Sequence, residues 1–200
     1  MAVGNEVSEL KQEKLYGAEV LFQNDGKAIY YFPEDSLGGK SLCRITVADG
    51  KPGQEEMIAK KAEPFYAWMN EDDQICYVDN YAMRFSGTGD LCCGDATIDV
   101  NVYFGGDLYD EISYAEESKK FIYLKFFYNG TDRWLNLMTG NNGETELIAE
   151  NVLDFAVWDE GRILYIQKSG SEERSGDLYA YEDGKSVKLA EGVSNILNRD

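Results

Sequence analysis

The chain contains no histidine. Missing with it are the side chain whose ordinary pKa lies nearest neutrality, the usual base of serine and cysteine hydrolases, and the mixed Cys/His zinc sites. Basic residues are also scarce: 19 lysines and arginines stand against 37 aspartates and glutamates, a formal net charge of −18. A surface of that sign repels extended polyanions, so nucleic acid is not expected as a partner, and solubility is the plain reading of the acidic excess. No apolar run approaches the roughly 20 residues of a membrane-spanning helix. The first ten residues have neither the cationic start nor the apolar core of a secretory signal. No membrane insertion is expected, and the compartment stays open. The four cysteines, Cys43, Cys76, Cys92 and Cys93, form no Cys-x-x-Cys pair. No metal is expected of them. Cys43, Cys76 and Cys92 fall inside apolar strand patterns, where cysteine acts as a small buried hydrophobe. A disulfide stays open, although nothing demands one.

Phosphate and calcium chemistry lack their motifs as well. Gly87-Thr88-Gly89 is followed by acid and cysteine, with no Gly-Lys-Ser/Thr and no helix to receive an anion. No Asp-x-Asp-x-Asp-Gly loop occurs, and Asp72-Asp73, or Asp107 with Asp110 and Glu111, are too sparse for a cage. No cofactor is expected. Asn129-Gly130-Thr131 is a formal glycosylation sequon that matters only in a secretory compartment.

What is present is aromatic and repetitive. With 14 tyrosines, 9 phenylalanines, 20 glycines and only three prolines, the composition favours pleated strands joined by tight turns. Ile29-Tyr30-Tyr31, Cys76-Tyr77-Val78, Ile122-Tyr123-Leu124 and Leu164-Tyr165-Ile166 recur, with Tyr30, Tyr77, Tyr123 and Tyr165 spaced by 47, 46 and 42 residues. A period of this size belongs to stacked or radial repeat architectures. The last period is the clearest. Phe155–Trp158 and Ile163–Ile166 (strands a and b) flank a polar turn, and Leu178–Tyr181 and Val187–Ala190 (c and d) flank Asp183-Gly184. Upstream, Leu42–Ile45, Leu91–Cys93 and Trp134–Leu137 read as c. Met57–Ala59, Val100–Val102 and Leu147–Ala149 read as d, with Asp25-Gly26, Asp49-Gly50 and Gly140-Asn141-Asn142-Gly143 as turns.

The pattern predicts an all-β fold of the β-propeller type, with four four-stranded antiparallel blades over about 18–62, 63–106, 107–149 and 150–190. A single repeat domain of 13–200 would follow a flexible tail of 1–12. Glu13–Tyr16 resembles a d strand and Val193–Leu197 the start of another a. The array is therefore either an arc of a larger propeller, with missing blades or self-association to complete it, or a small ring closed by the N-terminal strand.

These residues resemble the uncharacterised propeller-like repeats of bacterial surface and sensor proteins. An Ile-Tyr-Tyr strand, a Leu-Tyr-Arg-Ile-type strand and an Asp-Gly turn recur in that group. The match here is Ile29-Tyr30-Tyr31 with Leu42-Cys43-Arg44-Ile45 and Asp49-Gly50, and Leu164-Tyr165 with Leu178–Tyr181 and Asp183-Gly184. The resemblance implies a ligand- or protein-binding extracellular module and carries over no catalytic motif. Trp158-Asp159 lacks the Gly-His partner of WD repeats, and the double glycines 38–39 and 105–106 lack the fixed position of kelch repeats.

Two candidate sites follow. Loops between strands b and c vary while the strands stay regular, which is where binding residues sit on a rigid scaffold. Tyr81, Arg84 and Phe85, with Tyr128, supply the aromatic and arginine mixture typical of interfaces, so a protein, peptide or glycan is the expected partner. The alternative is a carbohydrate-active enzyme built on repeated acids at the d-to-a junctions, Glu19, Glu63, Asp107, Glu150 and Glu191. A structural role for those acids fits better, because the turn that carries them repeats and catalysis needs unequal carboxylates. No catalytic residue is assigned.

Overall fold

A computed structural model describes residues 20–33, 41–82, 87–104, 112–115, 118–159, 162–169 and 174–196. The predicted tail of 1–12 and the strand at Glu13–Tyr16 lie outside them. The fold is all-β and antiparallel. The chain divides into two compact units, Met1–Tyr81 with Asp90–Ala96, and Ala82–Gly89 with Thr97–Asp200.

Strands β1 (Val20–Phe22), β2 (Ala28–Tyr31), β3 (Leu42–Ala48) and β4 (Lys51–Ala59) make one sheet in sequence order. A single 3-10 turn at Pro64–Tyr66 precedes β5 (Ala67–Met69), β6 (Ile75–Ala82), β7 (Thr88–Cys93) and β8 (Ala96–Tyr103). Next come β9 (Ile112–Ala115), β10 (Lys120–Tyr128), β11 (Arg133–Asn141) and β12 (Glu144–Ala149). The last four, β13 (Val152–Asp159), β14 (Arg162–Lys168), β15 (Gly176–Glu182) and β16 (Lys185–Val193), again pair in sequence order. The expected b, c and d strands all lie within these elements. No helix among the described residues is long and apolar enough to cross a membrane.

Turn chemistry enforces the meanders. Asp49-Gly50, Asn142-Gly143 and Asp183-Gly184 have both φ angles positive, at 52° and 72°, 49° and 81°, and 52° and 76°. That is the type I′ geometry whose twist matches paired strands. Gly26, at φ 71°, donates its N–H to the Gln23 carbonyl at 3.0 Å and closes the β1–β2 hairpin.

Two expectations about order are corrected. The second and third meanders are joined into one eight-stranded sheet, β12-β11-β10-β8-β7-β6-β5, with β9 beside β10. β9 covers only Lys120–Tyr123 of β10, and further along the exposed edge meets β8 at Lys125↔Val102. The predicted new strand from Val193 is absent through residue 196. β16 runs on through Ala190-Glu191 to Val193, and the Ile196 N–H donates to Asp154 Oδ2 at 2.8 Å instead of to a ladder.

The recurring tyrosine also needs re-indexing. Tyr30 packs with Ala28, Phe32 and Leu42 against Ile75 and Tyr77, that is, forward onto the next meander. Tyr77 thus faces backward, as does Tyr165, which packs on Ile122 and Leu124. Tyr123 faces backward too, bonding Asp99 of β8. The first residue on the backward face is therefore Tyr31, on the opposite side of β2 from Tyr30 and grouped with Cys43 and Ile45. Tyr31, Tyr77, Tyr123 and Tyr165 are spaced by 46, 46 and 42 residues, more evenly than the series begun at Tyr30.

Candidate functional site

Of the loop residues, Arg84 and Phe85 lie outside the described residues. Tyr81 belongs to the first unit, near the end of β6. It is half-buried, and its ring meets Tyr66 edge-on at 5.5 Å. That contact makes Tyr81 a packing residue of the first unit as much as a surface one.

Tyr128, in the second unit, is 58% exposed at the end of β10. Its position follows from alternation along the β10–β11 hairpin. Cross-strand partners Phe127 and Trp134 stack on one face, with ring centroids 5.7 Å apart, which places the next pair, Tyr128 and Arg133, on the other. The Arg133 guanidinium lies over the Tyr128 ring at 5.8 Å. The intervening turn is closed by its own side chains. Asn129 Oδ1 accepts the N–H groups of Thr131 and Asp132 at 3.1 and 2.8 Å, and the Tyr128 hydroxyl donates to the Gly130 carbonyl at 2.7 Å. Gly130 at φ 100° adopts a backbone that only glycine takes readily. The result is an aromatic and a guanidinium held in place on a solvent-facing tip.

The three junction acids among the described residues occupy unlike positions. Glu19 and Asp107 lie outside the described residues. Glu63 sits four residues beyond the end of β4, immediately before the 3-10 turn, and its N–H donates to the Val78 carbonyl at 3.0 Å. Glu150 follows β12 directly and is exposed. Glu191 lies within β16, where Lys188 Nζ bonds it at 2.7 Å. Glu63, Glu150 and Glu191 thus share no common turn despite their even spacing. No group of three or more metal-ligating side chains occurs among the described residues.

Three polar constellations were not legible beforehand. In the first unit, a cavity of about 200 Å3 is lined by Gln23, Tyr30, Arg44, Asp73 and Gln74 among others. Arg44 reaches Glu56 Oε2 through Nη2 at 2.7 Å, while its buried Nε has no hydrogen-bond partner. The signal for it was an arginine inside the otherwise apolar Leu42–Ile45. In the second unit Asp99 is nearly buried and divides its oxygens between two donors, Lys125 Nζ at 2.6 Å and the Tyr123 hydroxyl at 2.7 Å. The third is the contact between Cys76 and Cys93 in the first unit.

Burial, then a carboxylate accepting the hydroxyl, pushes the Tyr31 and Tyr123 phenols well above their ordinary value, and burial followed by the neighbouring Cys92 does the same for Tyr77. The folded state thus holds these protons more tightly than the unfolded chain. Their stabilising contribution is complete below about pH 10 and is lost as pH rises through the higher folded values. Alkaline titration followed by phenolate absorbance should show these three tyrosines ionising only with the loss of near-ultraviolet circular dichroism. Ionisation of all 14 tyrosines in a single step near pH 10, with the fold intact, would contradict it.

The sequence matches no protein-family model, no curated protein and no solved structure.

Proposed function

We propose that the chain is a non-enzymatic binding module. In this reading its four meanders are propeller-type blades, in a ring or an arc, and the tips between second and third strands hold a protein, peptide or glycan. The observation that carries it is Tyr128, a large aromatic left in solvent on a turn whose backbone is already fixed, with the Arg133 guanidinium against its ring. A rigid tyrosine presents contact area at little cost in conformational freedom, and tyrosine and arginine are the types enriched at binding hot spots. The carbohydrate-active alternative is less favoured, because Glu63, Glu150 and Glu191 occupy unlike positions and Glu191 is engaged by Lys188 on its own strand.

The test is a glycan array and a random-peptide display library, each probed with the purified chain and with Tyr128→Ala. For ligands selected by the parent chain, the variant should bind about 30-fold more weakly, the effect of losing a ~2 kcal/mol hot spot. Its stability should fall by only about 1 kcal/mol, the worth of one exposed hydrogen bond and cation–π contact. Equal binding by both proteins, or no ligand selected by the parent, would refute the proposal.

A further inference from the structure

Cys76 and Cys93 are buried on neighbouring strands, β6 and β7, and their Sγ atoms are 2.8 Å apart, closer than two unbonded sulfurs settle. Strand register accounts for the approach. The Gly94 N–H donates to the Ile75 carbonyl at 2.8 Å, so 75 and 94 form a hydrogen-bonded couple. The next couple inward, 76 and 93, is then non-hydrogen-bonded, the position at which antiparallel Cα atoms come to about 4.5 Å and both side chains leave the same face. A disulfide spans Cα separations of about 4.4–6.8 Å. Cys92, one residue back, points to the other face and packs with Tyr77 and Ala28, out of reach of Cys76.

The surroundings distinguish the two sulfurs. Asn70 Nδ2 donates to Cys93 Sγ at 3.6 Å, and Cys93 Sγ reaches Gln74 Oε1 at 3.7 Å. Cys76 has the Gln74 carbonyl at 3.9 Å and is fully buried, whereas Cys93 ends β7 beside the Gly94 turn and retains slight exposure. The hydrogen bond from Cys76 lowers the Cys93 pKa, while the same contact and burial raise that of Cys76. Cys93, which has the Asn70 amide donor and the slight exposure, is therefore the sulfur placed to react first as a thiolate, with Cys76 beside it as the resolving thiol.

We propose that Cys76 and Cys93 form a reversible redox site, oxidised by hydrogen peroxide to an intramolecular disulfide. The Cys93 thiolate attacks one peroxide oxygen, the O–O bond breaks, and the departing hydroxide takes up a proton as water, leaving Cys93 as a sulfenic acid. Cys76 sulfur then attacks Cys93 sulfur. The S–S bond forms, the S–O bond breaks, and hydroxide leaves with the Cys76 proton as a second water. Two thiols lose two electrons in all, and one peroxide becomes two waters. A dithiol reverses the step by exchange. The closed form ties β6 to β7 within the first unit.

The full chain is treated with hydrogen peroxide, quenched in acid, alkylated under denaturing conditions and mapped by peptide mass spectrometry. The expected product carries two alkylatable thiols instead of four, with a peptide pair linked through Cys76 and Cys93 and with Cys43 and Cys92 alkylated. Dithiothreitol restores all four. Cys76→Ser should stop at the Cys93 sulfenic acid, trapped by dimedone, which the parent chain does not accumulate. Four thiols surviving peroxide, or a bond through Cys43 or Cys92, would overturn the proposal. The mapping of the parent chain decides the matter even if the serine variant fails to fold.

Discussion

Asp99→Ala is expected to lower the stability of the second unit by about 3–5 kcal/mol, the usual cost of removing one partner from a buried ion pair. The Asp99 side chain is 8% exposed and that of Lys125 19%. The carboxylate also accepts the Tyr123 hydroxyl, whose residue is fully buried. Deleting it leaves a buried phenol and a largely buried ammonium without the carboxylate that both of them contact. Asp99→Asn should cost less, because an amide oxygen still accepts from Tyr123. Pairing Asp99→Ala with Lys125→Met should recover much of the loss, because no charge is then left without its counterpart. Urea unfolding followed by tryptophan fluorescence measures all three. A loss under about 1 kcal/mol for Asp99→Ala would show that the pair is effectively solvated and that β8 and β10 are held by other contacts.

Gly176→Ala should cost about 3 kcal/mol, the upper end for overpacking a close-packed site. A Cβ at Gly176 would stand 2.1 Å from the Gln167 carbonyl oxygen and 2.7 Å from its carbon. Both are backbone atoms of β14, which pairs with β15 through Gln167↔Asp177 and Lys168↔Gly176. No rotamer relieves the clash, so the strands must part where the hairpin begins. Gly184→Ala is the contrast. Nothing lies within 4 Å of its Cβ position, and the cost is only that of a left-handed backbone at φ 76°, about 1–2 kcal/mol. Thermal unfolding midpoints should rank the parent chain above Gly184→Ala and that variant above Gly176→Ala. The reverse order would mean that β14 and β15 tolerate separation there.

Strand identity was legible because period-two alternation, aromatic enrichment and Asx-Gly turns agree wherever they occur together. The Leu178–Tyr181, Asp183-Gly184 and Val187–Ala190 series reappears as β15, a type I′ turn and β16. The error at Tyr30 has a specific cause. Two tyrosines are adjacent, and composition does not distinguish them, whereas a shift of one residue changes the face. The acids failed differently. Glu63, Glu150 and Glu191 are evenly spaced in sequence, yet β4 ends four residues before Glu63, β12 ends directly before Glu150, and β16 runs on past Glu191. Strand length depends on what the neighbouring strand offers as a partner, so equal spacing did not make equal positions. Tyr128 was legible as a loop aromatic, but the carboxamide that sets its turn and the guanidinium over its ring come from residues after it.

By itself the sequence determined an acidic, histidine-free chain of short antiparallel strands. Local rules suffice for that, because alternation and turn preference act between residues a few positions apart. Only the tertiary structure decided that Tyr31 rather than Tyr30 is the counterpart of Tyr77 in its own meander, that Asp99 receives Lys125, and that Cys76 meets Cys93 instead of Cys92. Alternation says which residues share a face; which face is covered, and by what, is settled when strands distant in the chain take up their register and exclude water between them.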